Sequence, residues 1–89
     1  MNLSELADLA AALGNEKRLR LLKRLAAGPA NSGELCAALG GANVTTMRDH
    51  LKKLIAAGFV VASEYSPKTY FLEKERMSEL RLWLKIKLC

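Results

Sequence analysis

Polar side chains suited to binding a nucleic acid are concentrated between Asn43 and Lys53. Hydroxyl, guanidinium, carboxylate and ammonium groups follow one another closely there, on Thr45, Thr46, Arg48, Asp49 and Lys52. Groups of these kinds bind base edges in the DNA major groove and phosphates along the backbone. Many helices carry a mixed-charge face only because it keeps them soluble, so a plain solvated face is the alternative interpretation.

An amphipathic helix is needed to hold these side chains on one face. Apolar residues and one glycine recur at helical spacing, at Val44, Met47, Leu51, Leu54, Ile55 and Gly58. Asn43 is suited to cap the first turn, and Gly58 supplies the positive-φ residue that often ends a helix. The segment therefore predicts a helix from Asn43 to Gly58, with the polar side chains on the face away from the core.

Catalytic groups are sparse in this sequence. The single histidine, His50, lies in the predicted helix with no cysteine or serine nucleophile at a defined spacing, and there is no glycine-rich phosphate loop. The two cysteines, Cys36 and Cys89, are too few and too far apart for a disulfide framework, and both suit a reducing cytoplasm. The sequence predicts neither an enzyme nor a bound cofactor.

The composition limits the kinds of partner that the chain can bind. Its 89 residues are enough for one domain with a modest core, and pairing with a second subunit would bury more apolar surface. The formal net charge of +5 favours polyanions, either nucleic acid or an acidic membrane surface. No apolar run approaches the roughly 20 residues that cross a bilayer, and the amino terminus lacks the layout of a secretory signal. We therefore expect a soluble, cytoplasmic protein with no membrane partner.

Three further helices are predicted before Asn43. The first runs from about Leu3 to Leu13, and the second runs from Glu16 to Ala27. Asn31 and Glu34 have the spacing of a capping box and begin a short third helix. The core face of the second helix is predicted to carry Leu19, Leu22, Leu25 and Ala26.

Two strands are predicted after Gly58, at Phe59–Ser63 and Thr69–Leu72, because both stretches are rich in β-branched and aromatic residues. The turn between them contains Ser66-Pro67 and ends at Lys68. A two-stranded ribbon that directly follows such a helix is a wing.

The last segment, from Glu73 to Cys89, is predicted to be a helix with more apolar side chains than its own domain can bury. One apolar stripe can pack on the domain, whereas Leu82, Trp83 and Ile86 extend the apolar surface around the helix. We expect this surplus to form a homodimer interface together with the first helix. The predicted interface residues are Leu3, Leu6, Met77, Leu80, Trp83, Leu84 and Leu88. A frayed tail, or a helix packed wholly on its own core, is the alternative.

Three segments in this order resemble the ArsR/SmtB-type family of bacterial and archaeal transcription regulators. They are Ala12–Leu22, Gly33–Leu39 and Thr46–Leu54, the last followed by Ala57-Gly58-Phe59-Val60. The resemblance covers nearly the whole chain. It implies one winged helix-turn-helix domain over residues 1–89, mainly α with a small β-hairpin, built from about five helices and a two-stranded wing. It also implies DNA binding.

The resemblance implies that the helix from Asn43 is the recognition helix, with Thr45, Thr46, Arg48, Asp49 and Lys52 facing DNA. The full set of candidate DNA-binding residues adds Asn43, His50, Lys53, Lys68, Arg18 and Arg20. Arg48 stands where the family usually has serine and could pair with guanine. Asp49 replaces a basic residue, and it could accept from cytosine or hold Arg48 in place.

Three of these candidates, His50, Arg18 and Lys68, have two interpretations each. His50, at the position of the family's histidine, either contacts DNA or braces the helix from a partly buried site. Arg18 and Arg20 are placed to contact backbone phosphates, although Arg18 could equally form an internal salt bridge. Lys68 could reach a phosphate or the minor groove, and as a lone cation near Glu64 it is expected to contribute little.

Metal-sensing relatives carry a Cys-x-Cys pair on the third helix or a set of His and Asp ligands on the last helix. Here Cys36 keeps the first position of the pair, Ala38 replaces the second cysteine, and the last helix has no histidine or aspartate. Because such sites need about three or four ligands, we predict no metal site. Cys36 is then a small core residue, and a redox switch between Cys36 and Cys89 stays the alternative.

Together these features predict a homodimeric repressor of transcription that binds a near-palindromic operator in double-stranded DNA. Half-sites are expected roughly 10 bp apart or a multiple of that spacing. A thiol-redox or metal-responsive sensor, and a winged-helix module that binds other proteins, are the alternatives. The sequence does not specify a small-molecule effector.

Overall fold

Helices make up most of the fold. The structure, a computed structural model, describes residues 2–65 and 67–88, and it describes side chains as far as Leu82 in the last helix. Over these residues the elements are α1 Leu3–Leu13, α2 Glu16–Ala26, β1 Ala30–Asn31, α3 Ser32–Ala38, α4 Val44–Ala56, β2 Val60–Ala62, β3 Thr69–Leu72 and α5 Lys74–Leu88. This is the order of a winged helix-turn-helix domain, as the sequence predicted.

An asparagine caps the amino end of each of the first four helices. The side-chain oxygens of Asn2, Asn15, Asn31 and Asn43 accept hydrogen bonds from backbone N–H groups in the first turn. Glu34 returns a bond to the backbone N–H of Asn31, so the predicted capping box is present. A cap of this kind stabilises a helix by about 1 kcal/mol relative to alanine, which explains why the helix starts agree with the sequence prediction.

The core lies where α1, α2, α3 and α4 meet the inner face of the sheet. From α4 it receives Met47, Leu51 and Leu54, as predicted. Val44 and Ile55, which the same pattern assigned to the core, are instead 42% and 39% exposed. They lie at the edge of the apolar stripe. Helical spacing alone does not predict whether residues at this edge are buried or exposed.

The core face of α2 differs from the sequence prediction. Leu21 is fully buried together with Leu22 and Leu25, whereas Leu19 is 49% exposed and Ala26 is also exposed. The helix is rich in leucine, so more than one of its faces could be buried. The face that is buried is the one that contacts α1, α3 and α4. Tertiary contacts, not the spacing alone, therefore set its orientation.

The wing belongs to a three-stranded antiparallel sheet, so the predicted two-stranded ribbon is incomplete. The strand order is β1-β3-β2, with Ala30 opposite Tyr70 in one pair and Val61 opposite Phe71 in the other. The extra strand, β1, has two residues and lies between α2 and α3. Two residues carry no strand pattern of their own, and β1 forms only because β3 pairs with it.

The carboxyl end of α4 is fixed from two directions. The backbone N–H of Phe59 donates to the Leu54 carbonyl at 3.0 Å, and Gly58 turns the chain with φ 84°. From α5, Arg76 Nε donates to the Ala57 carbonyl at 3.1 Å. α4 is therefore joined at this point both to the wing and to the last helix.

α1 and α5 each expose apolar side chains. Leu3 is 77% exposed and Leu82 is 58% exposed, while Leu6 and Met77 are half-buried against the core. Leu80, another predicted interface residue, is only 8% exposed and packs in the core of its own subunit. The side chains of Trp83, Leu84 and Leu88, and the whole of Cys89, lie outside the described residues.

Replacing Gly58 by alanine should lower the free energy of unfolding by about 1–2 kcal/mol, because a residue with a Cβ is disfavoured at this φ. The new Cβ would also lie 3.3 Å from Arg76 Nε. Gly33→Ala is the matched control, since Gly33 lies inside α3 without a positive φ and should gain stability or stay unchanged. Urea unfolding followed by circular dichroism measures both, and equal midpoints for the two variants would contradict this account.

Candidate nucleic-acid interface

The outward face of α4 carries exposed polar side chains that no other part of the described chain binds. Thr45, Asp49 and Lys52 lie opposite the buried stripe, and all three are exposed. Their side chains form no hydrogen bond or ion pair with any residue that the structure describes. The side chain of Asn43 is used at the helix end, where its oxygen accepts from the Thr46 N–H at 2.8 Å. The outward row is therefore available to an external partner.

Arg48 lies beside this row, on the side of α4 that faces the wing. It lines a groove of about 380 Å³ together with Lys52 from the same helix and Lys68 from the wing loop. The remaining lining residues are Leu51, Ile55, Ala62 and Tyr70. The structure thus brings together three of the predicted DNA-binding cations, and Lys68 is not the isolated charge that the sequence suggested.

The opposite side of α4 carries Thr46, His50 and Lys53, one helical turn apart, and faces α2. His50 is half-buried. Burial lowers the pKa of its imidazole below the usual 6.5, and the positive charges of Arg18, Lys17 and Lys53 lower it further, against a smaller opposing effect from Asp49. This side is therefore electropositive even while the imidazole is neutral.

Arg18, a candidate for DNA binding, has internal partners, as the alternative interpretation of this residue allowed. Its Nη1 donates to the carbonyls of Ala11 and Ala12, at 2.8 and 3.3 Å, and its Nε is buried without a partner among the described residues. The internal partner is thus the carboxyl end of α1, where the Ala11 carbonyl also accepts from the Gly14 N–H at 3.3 Å, and not the carboxylate that the alternative suggested. Arg18 joins α1 to α2.

Arg20 lies apart from the other candidates. Its Nη2 contacts Glu16 Oε1 at 2.8 Å, with both side chains largely exposed, so the ion pair adds little stability. It lines a groove with Lys23, Arg24 and Ala38, on the surface between α2 and α3. The structure does not bring it to either groove beside α4.

The wing loop presents an aromatic side chain that the sequence analysis missed. Tyr65 is 81% exposed. Ser63 orders the loop, because its hydroxyl donates to the Tyr65 carbonyl at 3.2 Å and accepts from the Thr69 N–H at 2.9 Å. A tyrosine inside a polar turn was a usable signal, since a turn gives an aromatic ring nothing to pack on.

Two further residues near α4 had no usable signal in the sequence. Lys17 acts on His50 across the contact between α2 and α4, and Arg76 binds the end of α4 from a position 19 residues away. Both contacts exist only once the helices have packed, so helical spacing and charge pattern give no warning of them.

The described residues offer little for other chemistry. Cys36 is a free, half-buried thiol packed against the core. Across residues 2–65 and 67–82, no three His, Cys, Asp or Glu side chains come close enough to hold a metal ion. No described helix is both long and apolar enough to cross a bilayer.

Comparisons with known proteins give consistent matches. Residues 13–61 match the family model described as a helix-turn-helix domain. An ArsR family transcriptional regulator superposes with a TM-score of 0.85 at 24% identity, covering 99% of this chain and 91% of that one. An ArsR-like regulator from Rhodococcus sp. RHA1 gives 0.81 at 24% identity, covering 92% and 77%. A search of curated proteins gave no match.

A third solved structure is somewhat closer in sequence. The homodimeric winged helix-turn-helix DNA-binding domain of a possible ArsR-family transcriptional regulator from Mycobacterium bovis is 28% identical, with a TM-score of 0.77. The match covers 94% of this chain and 78% of that one. Together with the likenesses above, it confirms the fold expected from the sequence.

The imidazole of His50 should titrate with a pKa below 6.5 in the folded protein, because burial and the neighbouring cations disfavour its charged form. The unfolded chain then binds a proton more readily, so stability should fall as the pH drops through 6.5 towards the folded pKa. Proton NMR measures this directly, since the chain has one histidine. Lys17→Gln and Lys53→Gln should each raise the pKa. A folded pKa at or above 6.5 would contradict the described environment.

Proposed function

The chain belongs to the helix-turn-helix domain family and is of the ArsR/SmtB type, and from this premise we propose that it is a sequence-specific regulator that binds double-stranded DNA as a homodimer. The helix-turn-helix family is a class of DNA-binding folds and not a class of enzymes. The observation that carries the proposal is the exposed row of α4, whose polar side chains have no internal partner among the described residues.

In the proposed complex α4 enters the major groove of DNA. Thr45, Asp49 and Lys52 then face the base edges, because they occupy the side of the helix directly opposite its buried stripe. Cations beside the row meet the phosphates of the flanking strands, and the net charge of +5 favours association with the polyanion. Much of the affinity is electrostatic and therefore depends on salt.

Asp49 is the acidic member of the row and the residue most expected to set an unusual operator sequence. A carboxylate near phosphates is repelled, whereas it accepts a hydrogen bond from the amino group of cytosine. Among the described residues no bond joins Asp49 to Arg48, which supports the cytosine role over the alternative of holding that arginine in place.

Dimerisation is proposed through α1 and α5. Leu3 and Leu82 are exposed on these helices, and solvent is an unfavourable environment for both. The predicted residues Trp83, Leu84 and Leu88 continue the apolar sequence of α5. The Mycobacterium bovis domain named above is described as homodimeric. A two-fold pair of recognition helices implies a near-palindromic operator with half-sites roughly 10 bp apart or a multiple of that spacing.

The regulator is proposed to be a cytoplasmic repressor. The roles proposed above for its described elements are DNA binding and subunit pairing, and a dimer that covers an operator overlapping a promoter blocks access to that promoter. No effector is part of this proposal.

Purified protein should select fragments of the source genome that share a near-palindromic sequence, and their affinity should fall steeply with salt. Lys52→Ala should weaken binding, because the lysine lies in the outward row. Lys74→Ala is the charge-matched control on the first turn of α5 and should bind as the wild type does. Weak retention of all fragments alike would instead support the protein-binding alternative.

The wild type should sediment as a dimer, and Leu82→Glu should shift it towards the monomer and lower operator affinity, because the substitution places a charge in the proposed interface. Leu19→Glu is the matched control, since Leu19 is also about half exposed but lies on α2. Circular dichroism checks that both variants fold. A wild-type monomer at micromolar concentration would contradict the dimer.

A further inference from the structure

A groove lies between α1, α2 and the carboxyl end of α4, on the side of α4 that faces α2. Its volume is about 440 Å³, which is within the range of small-molecule sites in proteins. Two alanines of α1 and two at the end of α4 form its apolar surface, and three charged side chains, Asp8, Arg18 and Lys53, complete its lining. The DNA complex proposed above gives this groove no role.

Arg18 lines the groove with a guanidinium that is already fixed in place. Its Nη1 donates to the Ala11 and Ala12 carbonyls, whereas its Nη2 has no partner among the described residues and its Nε is buried without one. Nε and Nη2 form one edge of the guanidinium, and such an edge binds a carboxylate through two parallel hydrogen bonds. A buried N–H without an acceptor is unfavourable, so this edge indicates an acceptor that the described chain does not supply.

Charges of both signs line the groove without pairing with one another. Asp8 and Lys53 are exposed, and neither forms an ion pair with any described residue. Asp8 belongs to α1, whereas the two cations belong to α2 and α4, so the groove separates a carboxylate from a guanidinium and an ammonium group. A ligand with one charge would leave one side unpaired. A ligand with both a carboxylate and an ammonium group pairs with both sides.

We propose that the groove between α1, α2 and α4 binds a small zwitterion of the amino-acid type. Its carboxylate lies between Arg18 and Lys53, its ammonium group lies against Asp8, and its aliphatic part contacts the alanines. Free amino acids and short peptides share this chemistry. The inference goes beyond the proposed function and does not depend on it, because binding is measured on the protein without DNA.

The proton NMR signal of His50 reports on binding, since the chain has one histidine. Besides burial, the positive charges of Arg18, Lys17 and Lys53 lower the pKa of its imidazole. A carboxylate held by Arg18 and Lys53 offsets their charge and raises this pKa. At constant ionic strength and about pH 6, the signal should therefore move towards that of the charged form until the site is saturated.

The probes are the standard L-amino acids, one at a time, the dipeptide glycylglycine, and the single-charge controls acetate and methylammonium. At least one amino acid, or glycylglycine, should saturate the shift of the His50 signal. Acetate and methylammonium should each bind at least about tenfold more weakly, because each makes only one of the two ionic contacts.

Two substitutions with matched controls locate the site. Asp8→Asn and Lys53→Gln should each weaken binding of the probe by about tenfold, the loss expected for one charge-assisted hydrogen bond. Glu5→Gln on α1 and Lys23→Gln on α2 remove exposed charges outside the groove and should bind the probe as the wild type does. Circular dichroism checks that all four variants fold.

Three results would overturn the proposal. One is the absence of a saturable shift with every amino acid and with glycylglycine. Another is binding of acetate as tight as that of the best zwitterion, which would indicate a simple anion site. The third is an equal loss in the substitutions and their controls. Saturation by glycylglycine alone would support a peptide as the ligand, and saturation by a single amino acid would support a free amino acid. Failure of the proposed function is distinct, since the protein would then bind these probes but no operator.

Discussion

The orientation of the recognition helix depends on the contacts at its carboxyl end. There Gly58 reverses the chain, Phe59 returns to the Leu54 carbonyl, and Arg76 reaches from α5 to the Ala57 carbonyl. Through this junction α4 is joined directly to the wing and to the helix proposed to pair two subunits. In a dimer, the same contacts would fix the angle at which each α4 meets a groove, so subunit pairing and DNA docking share one structural element.

Positive charge is divided between two tasks in this subunit. Arg18, Arg24 and Arg76 bind carbonyls and carboxylates outside their own helices and so join elements to one another, whereas Arg20 pairs with Glu16 within α2. Arg48 and the exposed lysines on or beside α4 form no bond with any described residue. A guanidinium suits the first task because it has several donors in a rigid plane and can bind more than one acceptor. The net charge therefore overstates the number of cations available for DNA.

Local signals fixed the features that the sequence predicted correctly. The bounds of α1, the capping box at Asn31 and the stop at Gly58 each depend on a few adjacent residues, and all are present. What the sequence missed depends on distant partners. The strand β1 needs β3, and Arg18 needs the carbonyls of α1. The burial of Leu21 in place of the predicted Leu19 also depends on distant partners, because contacts with neighbouring helices determine which leucines of α2 are buried.

The helix starts differ in one respect that bears on DNA. The first turns of α1, α2 and α3 each contain a glutamate, whereas the first turn of α4 contains no acidic residue and its cap, Asn43, is uncharged. Aligned peptide dipoles leave about half an elementary charge at the amino end of a helix, and a nearby carboxylate offsets it. That offset is present in the three supporting helices and missing in the fourth. The amino end of α4 therefore keeps its partial positive charge and can attract an anion with its backbone alone, whichever side chains follow.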